Sequence, residues 1–305
     1  MDQSVSKTIR IPHTEVDGCL IAGVLQQSLP EESTDGKSIA LILHGTMGHK
    51  DYLYQKRLAL RLPIDSFRFD FRGNHETPGE WRHGALADDV ADLQVVVKYL
   101  ISNFGYKIKL VVGHSRGSIA AFHWLCTSEE GKTVAGFVNC SGRYRMHKIY
   151  ESLLPIYKPH FDVQGFYDWK VTVARKEVVG RIFPSDLEEF TKWDTSIVWD
   201  RFPLNTHVLS LHGLNDTTVP PYDAIIYARA LGSRAPGSHN LHLIEDADHN
   251  FTGVRRHGFS ALHLQFLSRV QRQDEIVDTI LEWWQLCERG DLKTGVWSTG
   301  VRGKL

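Results

Sequence analysis

The chain has 305 residues, of which 42% are hydrophobic and 23% charged, and its 35 basic and 36 acidic side chains leave a formal net charge of -1. This apolar content is sufficient for a buried core, so a disordered chain is excluded. The balanced charge provides no general basic surface for phosphate groups, so no nucleic-acid partner is expected. Four scattered cysteines without a CxxC pair argue against a disulfide framework and against a zinc site.

Few targeting signals are present. The chain contains no apolar run of the roughly 18 residues that a membrane span needs, and residues 1–18 lack the apolar core of a signal peptide. We therefore expect an intracellular protein without a membrane span, not a secreted one. The final tripeptide, Gly303-Lys304-Leu305, resembles the S-K-L address of peroxisomal proteins, with Gly in place of Ser. The expected location is cytoplasmic or peroxisomal, and in the second case the peroxisomal import receptor is a partner at the C-terminus.

Short apolar runs alternate with amphipathic stretches in the first half of the chain, which is typical of a parallel sheet covered by helices. The run SIALIL, for example, has the continuous apolar character of a strand buried on both faces. In chain order the pattern predicts a strand hairpin at 7–12 and 19–26, a strand at 38–43, a helix at 52–62, a strand at 66–71, a helix at 85–102, a strand at 109–112 and a helix at 115–126.

The second half resumes this alternation after an interruption. It predicts a strand at 134–140, then a strand at 207–211, a helix at 221–231, a strand at 241–244 and a helix at 274–286. The intervening segment is rich in aromatic residues and breaks the rhythm, so it is interpreted as an insertion between two strands. The predicted organisation is a core in two parts, 1–144 and 205–288, an insertion at 145–204 and a flexible tail at 289–305.

The strongest motif is Gly113-His114-Ser115-Arg116-Gly117, which matches G-x-S-x-G directly after a predicted strand and directly before a predicted helix. This is the context of a nucleophile elbow, a turn so tight that the serine adopts strained backbone angles and stands exposed at the sheet edge. The glycines on either side keep Cβ atoms out of the crowded turn. Ser115 is therefore predicted to be a catalytic nucleophile.

A serine nucleophile needs a base and an acid that orients the base. In this arrangement the chain order is Ser, then Asp or Glu, then His. Asp216 follows the predicted strand at 207–211, and His249 follows the predicted strand at 241–244. Both loops leave the same edge of a parallel sheet as Ser115, so Asp216 is predicted as the acid and His249 as the base. His239 and His242 are less suitable because they lie at the start of the last strand or inside it.

An acyl-transfer intermediate also needs N–H donors for its oxyanion. The N–H of Arg116, directly after the nucleophile, is one predicted donor. The loop after the strand at 38–43 begins with His44 and supplies the other, with Thr46 as the candidate and Met47 as the alternative. His44 itself is expected to bond to backbone groups beneath this loop.

Together these segments resemble the alpha/beta-hydrolase superfamily, through the His-Gly loop, GHSRG, the acid loop HGLND and the histidine loop DADHNF. The resemblance covers residues 15–145 and 205–288 and is closest to feruloyl and cinnamoyl esterases, from which His75 departs where that group has Gly. It extends more weakly to peroxisomal hydrolases of fungal toxin pathways. It implies an α/β-hydrolase fold, with a mostly parallel eight-stranded sheet, helices on both faces and a helical cap formed by 145–204.

The resemblance implies a serine hydrolase that cleaves a carboxylic ester or thioester with an apolar acyl or aryl part. No cofactor and no metal site are expected, because no nucleotide-binding or zinc motif is present. Ser115 argues against epoxide hydrolases and haloalkane dehalogenases, which use Asp at the elbow, whereas cofactor-free dioxygenases and hydroxynitrile lyases stay open. An acyltransferase with the same triad and a ligand-binding receptor on a hydrolase scaffold are the principal alternatives.

Overall fold

The structure, a computed structural model, describes residues 4–253 and 261–297, with side chains from residue 272 onward in the second range. The tripeptide at 303–305 lies outside the described residues. In the part of the chain that is described, no helix has the length and apolar character required to cross a membrane.

The described residues form eleven strands and seven α-helices, joined mostly by short loops. The strands are β1 Val5–Pro12, β2 Leu20–Gln27, β3 Ser38–Leu43, β4 Asp65–Phe69, β5 Lys107–His114, β6 Gly136–Cys140, β7 Tyr167–Val173, β8 Lys176–Ile182, β9 His207–Gly213, β10 His239–Ile244 and β11 Gly295–Val296. The helices are α1 Gln55–Arg61, α2 Leu86–Phe104, α3 Arg116–Thr127, α4 Lys148–Gln164, α5 Pro184–Thr191, α6 Tyr222–Leu231 and α7 Ala261–Arg289.

Nine of these strands form one sheet in the order β1-β2-β4-β3-β5-β6-β9-β10-β11. The β1–β2 hairpin is antiparallel and pairs with β4 in the antiparallel sense, while all other neighbours are parallel. The mostly parallel sheet is confirmed, but the predicted count of eight strands is wrong. The ninth strand, β11, lies in the predicted tail and pairs parallel to β10. At two residues, one of them Gly295, it is too short to show a hydrophobic pattern.

Helices cover both faces of the sheet, as predicted. One face packs against α2, α3 and α6 through side chains such as Leu93 and Tyr227, and the other packs against α1 and α7 through side chains such as Leu58 and Trp283. Each such side chain, when fully buried, contributes about 1.5–3 kcal/mol relative to exposure. Burial from both sides explains why the central strands appear as continuous apolar runs in the sequence.

The segment between β6 and β9 contains α4, a two-stranded antiparallel sheet of β7 and β8, and α5. The predicted helical cap therefore has its two helices but also contains a strand hairpin that was not predicted. The hairpin escaped prediction because its two-residue turn is Ala174-Arg175, with φ values of 47° and 69°. Turns of this kind usually carry Asn-Gly or Asp-Gly, and those residues provide the sequence signal for a hairpin.

The parallel arrangement determines where the polar loops of the chain come together. Strands β3, β5, β6, β9 and β10 run in the same direction, so their carboxyl ends lie along one edge of the sheet. Ligands in open α/β sheets bind at this edge. The loops with the HG, GHSRG, HGLND and DADHNF motifs all follow these strand ends, which places the predicted site residues on one side of the molecule.

Candidate active site

Ser115 lies at the turn between β5 and α3 with φ 52° and ψ −116°, a region that non-glycine residues rarely adopt. The glycines beside it are required by close approach of backbone. A Cβ at Gly113 would lie 2.7 Å from Ser118 N and Cα, and one at Gly117 would lie 2.5 Å from the His44 carbonyl oxygen. The turn therefore has the strained and crowded geometry of a nucleophile elbow.

Three predicted residues from separate loops form one chain of hydrogen bonds. Ser115 Oγ lies 2.9 Å from His249 Nε2, and His249 Nδ1 lies 2.8 Å from Asp216 Oδ2. The carboxylate is buried, while the imidazole side chain is 15% exposed. An Asp that accepts from Nδ1–H leaves Nε2 as the nitrogen that faces the hydroxyl, so His249 can accept the serine proton.

The Asp216 carboxylate accepts three hydrogen bonds and lies close to a fourth N–H, that of His212 Nε2, which also donates to the Val219 carbonyl at 2.7 Å. The carboxylate Oδ1 accepts the N–H groups of Thr218 and Val219 at 2.9 and 2.8 Å. Its Oδ2 faces His249 and lies 3.2 Å from His212 Nε2. Burial alone would raise the pKa of Asp216, but the hydrogen bonds from His212 and His249 outweigh burial and hold the pKa well below its usual range. Asp216 is therefore ionised at neutral pH.

His114, inside the GHSRG motif, positions the loop of His249. Burial lowers the pKa of His114 to about 3, so the ring is neutral. Its Nε2 lies 2.9 Å from the backbone carbonyl oxygen of His249, which accepts the ring N–H. The nucleophile turn and the base loop are thus joined by a second hydrogen bond besides the one between the two reactive side chains. Apart from the position of His114 in the motif, no local pattern predicts this contact.

The loop after β3 carries the predicted oxyanion donor Thr46 and lines the same cavity as Ser115 and Arg116. In the part of the chain that the structure describes, neither the Thr46 nor the Arg116 N–H donates to a backbone carbonyl. His44 supports the loop from below, since its Nδ1–H donates to the Gly45 carbonyl at 2.7 Å and its Nε2 accepts the Phe71 N–H at 3.0 Å. Both amides are therefore available to a ligand oxygen.

The side chain of Arg116 is buried. Its Nε donates to Asp89 of α2 and its Nη1 donates to the backbone carbonyl of His83, both at 2.5 Å. Burial raises the pKa of Asp89 to about 6, although the positive charge of Arg116 opposes this shift. Arg116 thus anchors the start of α3 to α2 and to the loop at His83, while its backbone N–H stays at the elbow.

A cavity of about 680 Å³ opens over Ser115 and His249. Its floor is formed by the loops of the core, and its walls by the insertion between β6 and β9. The insertion contributes mainly apolar side chains, which include Ile149, Leu153, Ile156, Tyr157, Trp169 and Phe190. This volume and lining are typical of a site for a small organic molecule.

Two buried polar residues at this cavity were not singled out from the sequence. Arg143 follows the end of β6, and His83 lies in the loop before α2. Arg143 could have been predicted from the sequence, because it lies three positions after the end of a strand that leads to the active-site edge of the sheet. Nothing in the local sequence marks His83, because its place at the cavity depends on the Arg116 contact.

The rival histidines lie away from this arrangement. His239 Nε2 is 3.0 Å from Ser210 Oγ inside the sheet, and His242 Nδ1 is 3.1 Å from the Trp297 carbonyl. Among the described residues no group of three His, Cys, Asp or Glu side chains is arranged to hold a metal ion.

The alpha/beta hydrolase family profile matches residues 40–261, a stretch that includes Ser115, Asp216 and His249. The chain therefore belongs to the alpha/beta hydrolase family. It is also 31% identical over 269 residues to the uncharacterized protein YDL057W of Saccharomyces cerevisiae, a match that covers 81% of this chain and 79% of the yeast protein.

Solved structures show the same fold at low sequence identity. Est1E from Butyrivibrio proteoclasticus is 15% identical with a TM-score of 0.64, over 92% of this chain and 99% of Est1E. The esterase Pf2001 from Pyrococcus furiosus is 15% identical with a TM-score of 0.59, over 90% of each chain. The predicted α/β-hydrolase class is thus confirmed, with the strand count and the cap corrected as above.

Proposed function

We propose that this protein is a serine hydrolase that cleaves a carboxylic ester or thioester through an acyl-enzyme. The observation that carries the proposal is the hydrogen-bonded chain Ser115–His249–Asp216 at a strained elbow, open to a cavity with apolar walls. Membership of the alpha/beta hydrolase family and the fold shared with esterases are consistent with it.

In the first half of the reaction, Ser115 Oγ attacks the acyl carbonyl carbon while His249 Nε2 takes the hydroxyl proton. Asp216 stabilises the resulting imidazolium and keeps its Nδ1–H directed at the carboxylate. The carbonyl oxygen becomes an oxyanion, which accepts the N–H groups of Thr46 and Arg116. The tetrahedral intermediate collapses, His249 returns the proton to the leaving oxygen or sulfur, and Ser115 retains the acyl group.

In the second half, water enters and His249 accepts one of its protons as the water oxygen attacks the acyl-enzyme carbonyl. The same two amides hold the second oxyanion. Collapse then breaks the bond to Ser115 Oγ, and the proton held by His249 returns to that oxygen as the free acid leaves. An alcohol or amine in place of water would make the protein an acyltransferase, so product composition distinguishes the two reactions.

Labelling with a fluorophosphonate tests this proposal directly. We expect the wild-type protein to form a stable phosphonyl adduct, and peptide mass spectrometry to locate it on Ser115. The Ser115→Ala variant should remain unlabelled, and heat-unfolded wild-type protein should also remain unlabelled, because activation depends on His249. Equal labelling of the wild type and Ser115→Ala would refute the nucleophile assignment. Absence of labelling in the folded wild type would favour a ligand-binding receptor.

We further propose that residues 303–305 direct the protein to peroxisomes, as the tripeptide resembles S-K-L. The import receptor reads this signal only at a free C-terminus, so a fluorescent protein is fused before residue 1. The fusion should appear as puncta that coincide with a peroxisomal marker, and deletion of residues 303–305 should make it diffuse. A diffuse signal from the intact fusion would contradict the peroxisomal address and place the protein in the cytoplasm.

A further inference from the structure

Arg143 is a buried cation at the active-site cavity with a single hydrogen-bond partner. Its residue is 6% exposed, and its Nη2 donates to the Thr218 carbonyl at 2.5 Å. Within residues 4–253 and 272–297, no carboxylate lies within ion-pair distance of its guanidinium, and its Nε and Nη1 have no hydrogen-bond acceptor. Burial lowers the pKa of Arg143, although the negative charges of Asp223 and Asp216 oppose this shift. Asp223 itself pairs with Arg145 and accepts the N–H groups of Tyr144 and Arg145.

Each of the other three arginines that are buried among the described residues has a carboxylate partner, which for Arg272 is Asp246 at 3.8 Å. Arg116 pairs with Asp89 and Arg68 with Asp51. Arg234, which has no acidic partner among the described residues, donates to four backbone carbonyls instead. A buried charge without such partners is strongly unfavourable. Among the described residues, Arg143 is thus the buried arginine without a carboxylate partner, and it lines the active-site cavity, which indicates that an anionic ligand supplies the missing partner.

His83 provides a second, independent indication at the same cavity. It is 5% exposed, and neither of its ring nitrogens has a hydrogen-bond partner among the described residues. Burial, reinforced by the positive charges of Arg116 and Arg143, lowers the pKa of His83 to about 3. The ring is therefore neutral and offers one N–H donor and one acceptor nitrogen. The residue lines the cavity, but both nitrogens are closed to solvent, so the ring has to turn before either nitrogen can contact a ligand.

Arg143 lies beside the reacting groups rather than at a remote end of the cavity. The Thr218 carbonyl accepts from Arg143, and the Thr218 N–H donates to Asp216 at 2.9 Å. Arg143 thus contacts the same short loop that carries the predicted acid. A substrate with its carbonyl at Ser115 can therefore place a second polar group on Arg143 within the same cavity.

We propose that Arg143 and His83 bind a free carboxylate carried by the ester, so that the substrate class is a monoester with a second, ionised acid group. This inference rests on the proposed function. A guanidinium presents two parallel N–H groups that match a carboxylate, and hydrogen bonds between ionised groups are stronger than neutral ones. The N–H of His83 adds a neutral donor. The apolar walls of the insertion then contact the hydrocarbon part of the substrate.

The test compares charged and neutral esters of equal length in two arms. Monomethyl glutarate and methyl pentanoate place the charge on the acyl side, whereas 3-(butanoyloxy)benzoate and phenyl butanoate place it on the leaving group. We expect the wild type to prefer the charged ester in one arm by about tenfold or more in kcat/KM, the gain typical of a charge-assisted hydrogen bond. A ratio below about twofold in both arms would overturn the proposal.

The Arg143→Gln variant should lower this charged-to-neutral ratio about tenfold, mainly through a higher KM for the charged ester. Arg143→Lys, which keeps the charge without the planar fork, should give an intermediate ratio. Arg229→Gln is the matched control, since it removes an exposed cation of α6 that does not line the cavity. Equal changes in the Arg143→Gln and Arg229→Gln variants would reduce the effect to general charge and contradict a direct contact.

A further measurement uses only the wild-type protein, so it does not depend on the folding of any variant. Free glutarate should slow fluorophosphonate labelling of Ser115 at lower concentration than 1-pentanol does, because the dianion occupies Arg143. Protection by glutarate no better than by 1-pentanol would overturn the carboxylate site. Absence of labelling without any competitor would instead refute the proposed hydrolase function, so the two failures are distinguishable.

Discussion

Replacing Ser115 by Ala is expected to lower kcat for a p-nitrophenyl ester by about 10⁵-fold, with little change in KM. The variant loses the atom that forms the acyl-enzyme, while the cavity and the amides of Thr46 and Arg116 remain. Some acceleration over water should persist, because oxyanion stabilisation does not need the hydroxyl. The measurement is steady-state release of p-nitrophenol, together with thermal unfolding to verify that the variant is folded.

Two further variants test whether Ser115 and His249 act together in one step or contribute to kcat independently. His249→Ala alone should lower kcat by a similar factor, and the double variant Ser115→Ala/His249→Ala should be no slower than either single one, because the residues act as a unit. Ser128→Ala is the control, since this serine lies beyond the far end of α3 and bonds to Gly131 N–H. Multiplying effects in the double variant would contradict a common proton-transfer step.

Replacing Asp216 by Asn is expected to lower kcat by roughly 10³–10⁴-fold. The amide retains the shape of the carboxylate but presents an NH₂ group where Asp216 now accepts hydrogen bonds from Thr218, Val219 and His249. It also favours the wrong tautomer of His249 and no longer stabilises the imidazolium. The control is Asp246→Asn in the His249 loop, where the carboxylate is 57% exposed and 3.8 Å from Arg272. That variant should stay within about twofold of the wild type, as expected for a mostly exposed charge.

The same substitution has an expected effect on stability. Because the folded pKa of Asp216 is held below its unfolded value of about 3.9, the ionised form stabilises the protein above about pH 4. That contribution is lost as the pH falls through the folded pKa. Asp216→Asn should therefore be less stable than the wild type at pH 7, with the difference narrowing in acid. A constant difference in the free energy of unfolding from pH 7 to pH 3 would contradict the assigned ionisation.

Much of the fold could be predicted because its signals are local. Buried parallel strands such as β3 are continuous apolar runs, and the last helix shows its buried face through Ile276, Ile280 and Trp283. Two elements, the β7–β8 hairpin and β11, were not predicted, and the reason again lies in their local sequence. The turn Ala174-Arg175 lacks the usual hairpin residues, and β11 is too short for any pattern. Both are held by partners elsewhere in the chain that no local pattern reveals.

The order of the residues along the chain specifies which side chains are available for chemistry. The glycines around Ser115 and the strand-to-loop positions of Asp216 and His249 follow from the chain alone, since parallel strands place their carboxyl ends at one edge. Which buried polar groups lack partners depends instead on the folded chain. Asp223 pairs with Arg145 rather than with Arg143, and Arg116 donates a hydrogen bond to the His83 carbonyl at the cavity. Whether a buried polar group lacks a partner depends on the side chains that all surrounding elements place near it. The spacing of residues along the sequence does not show this.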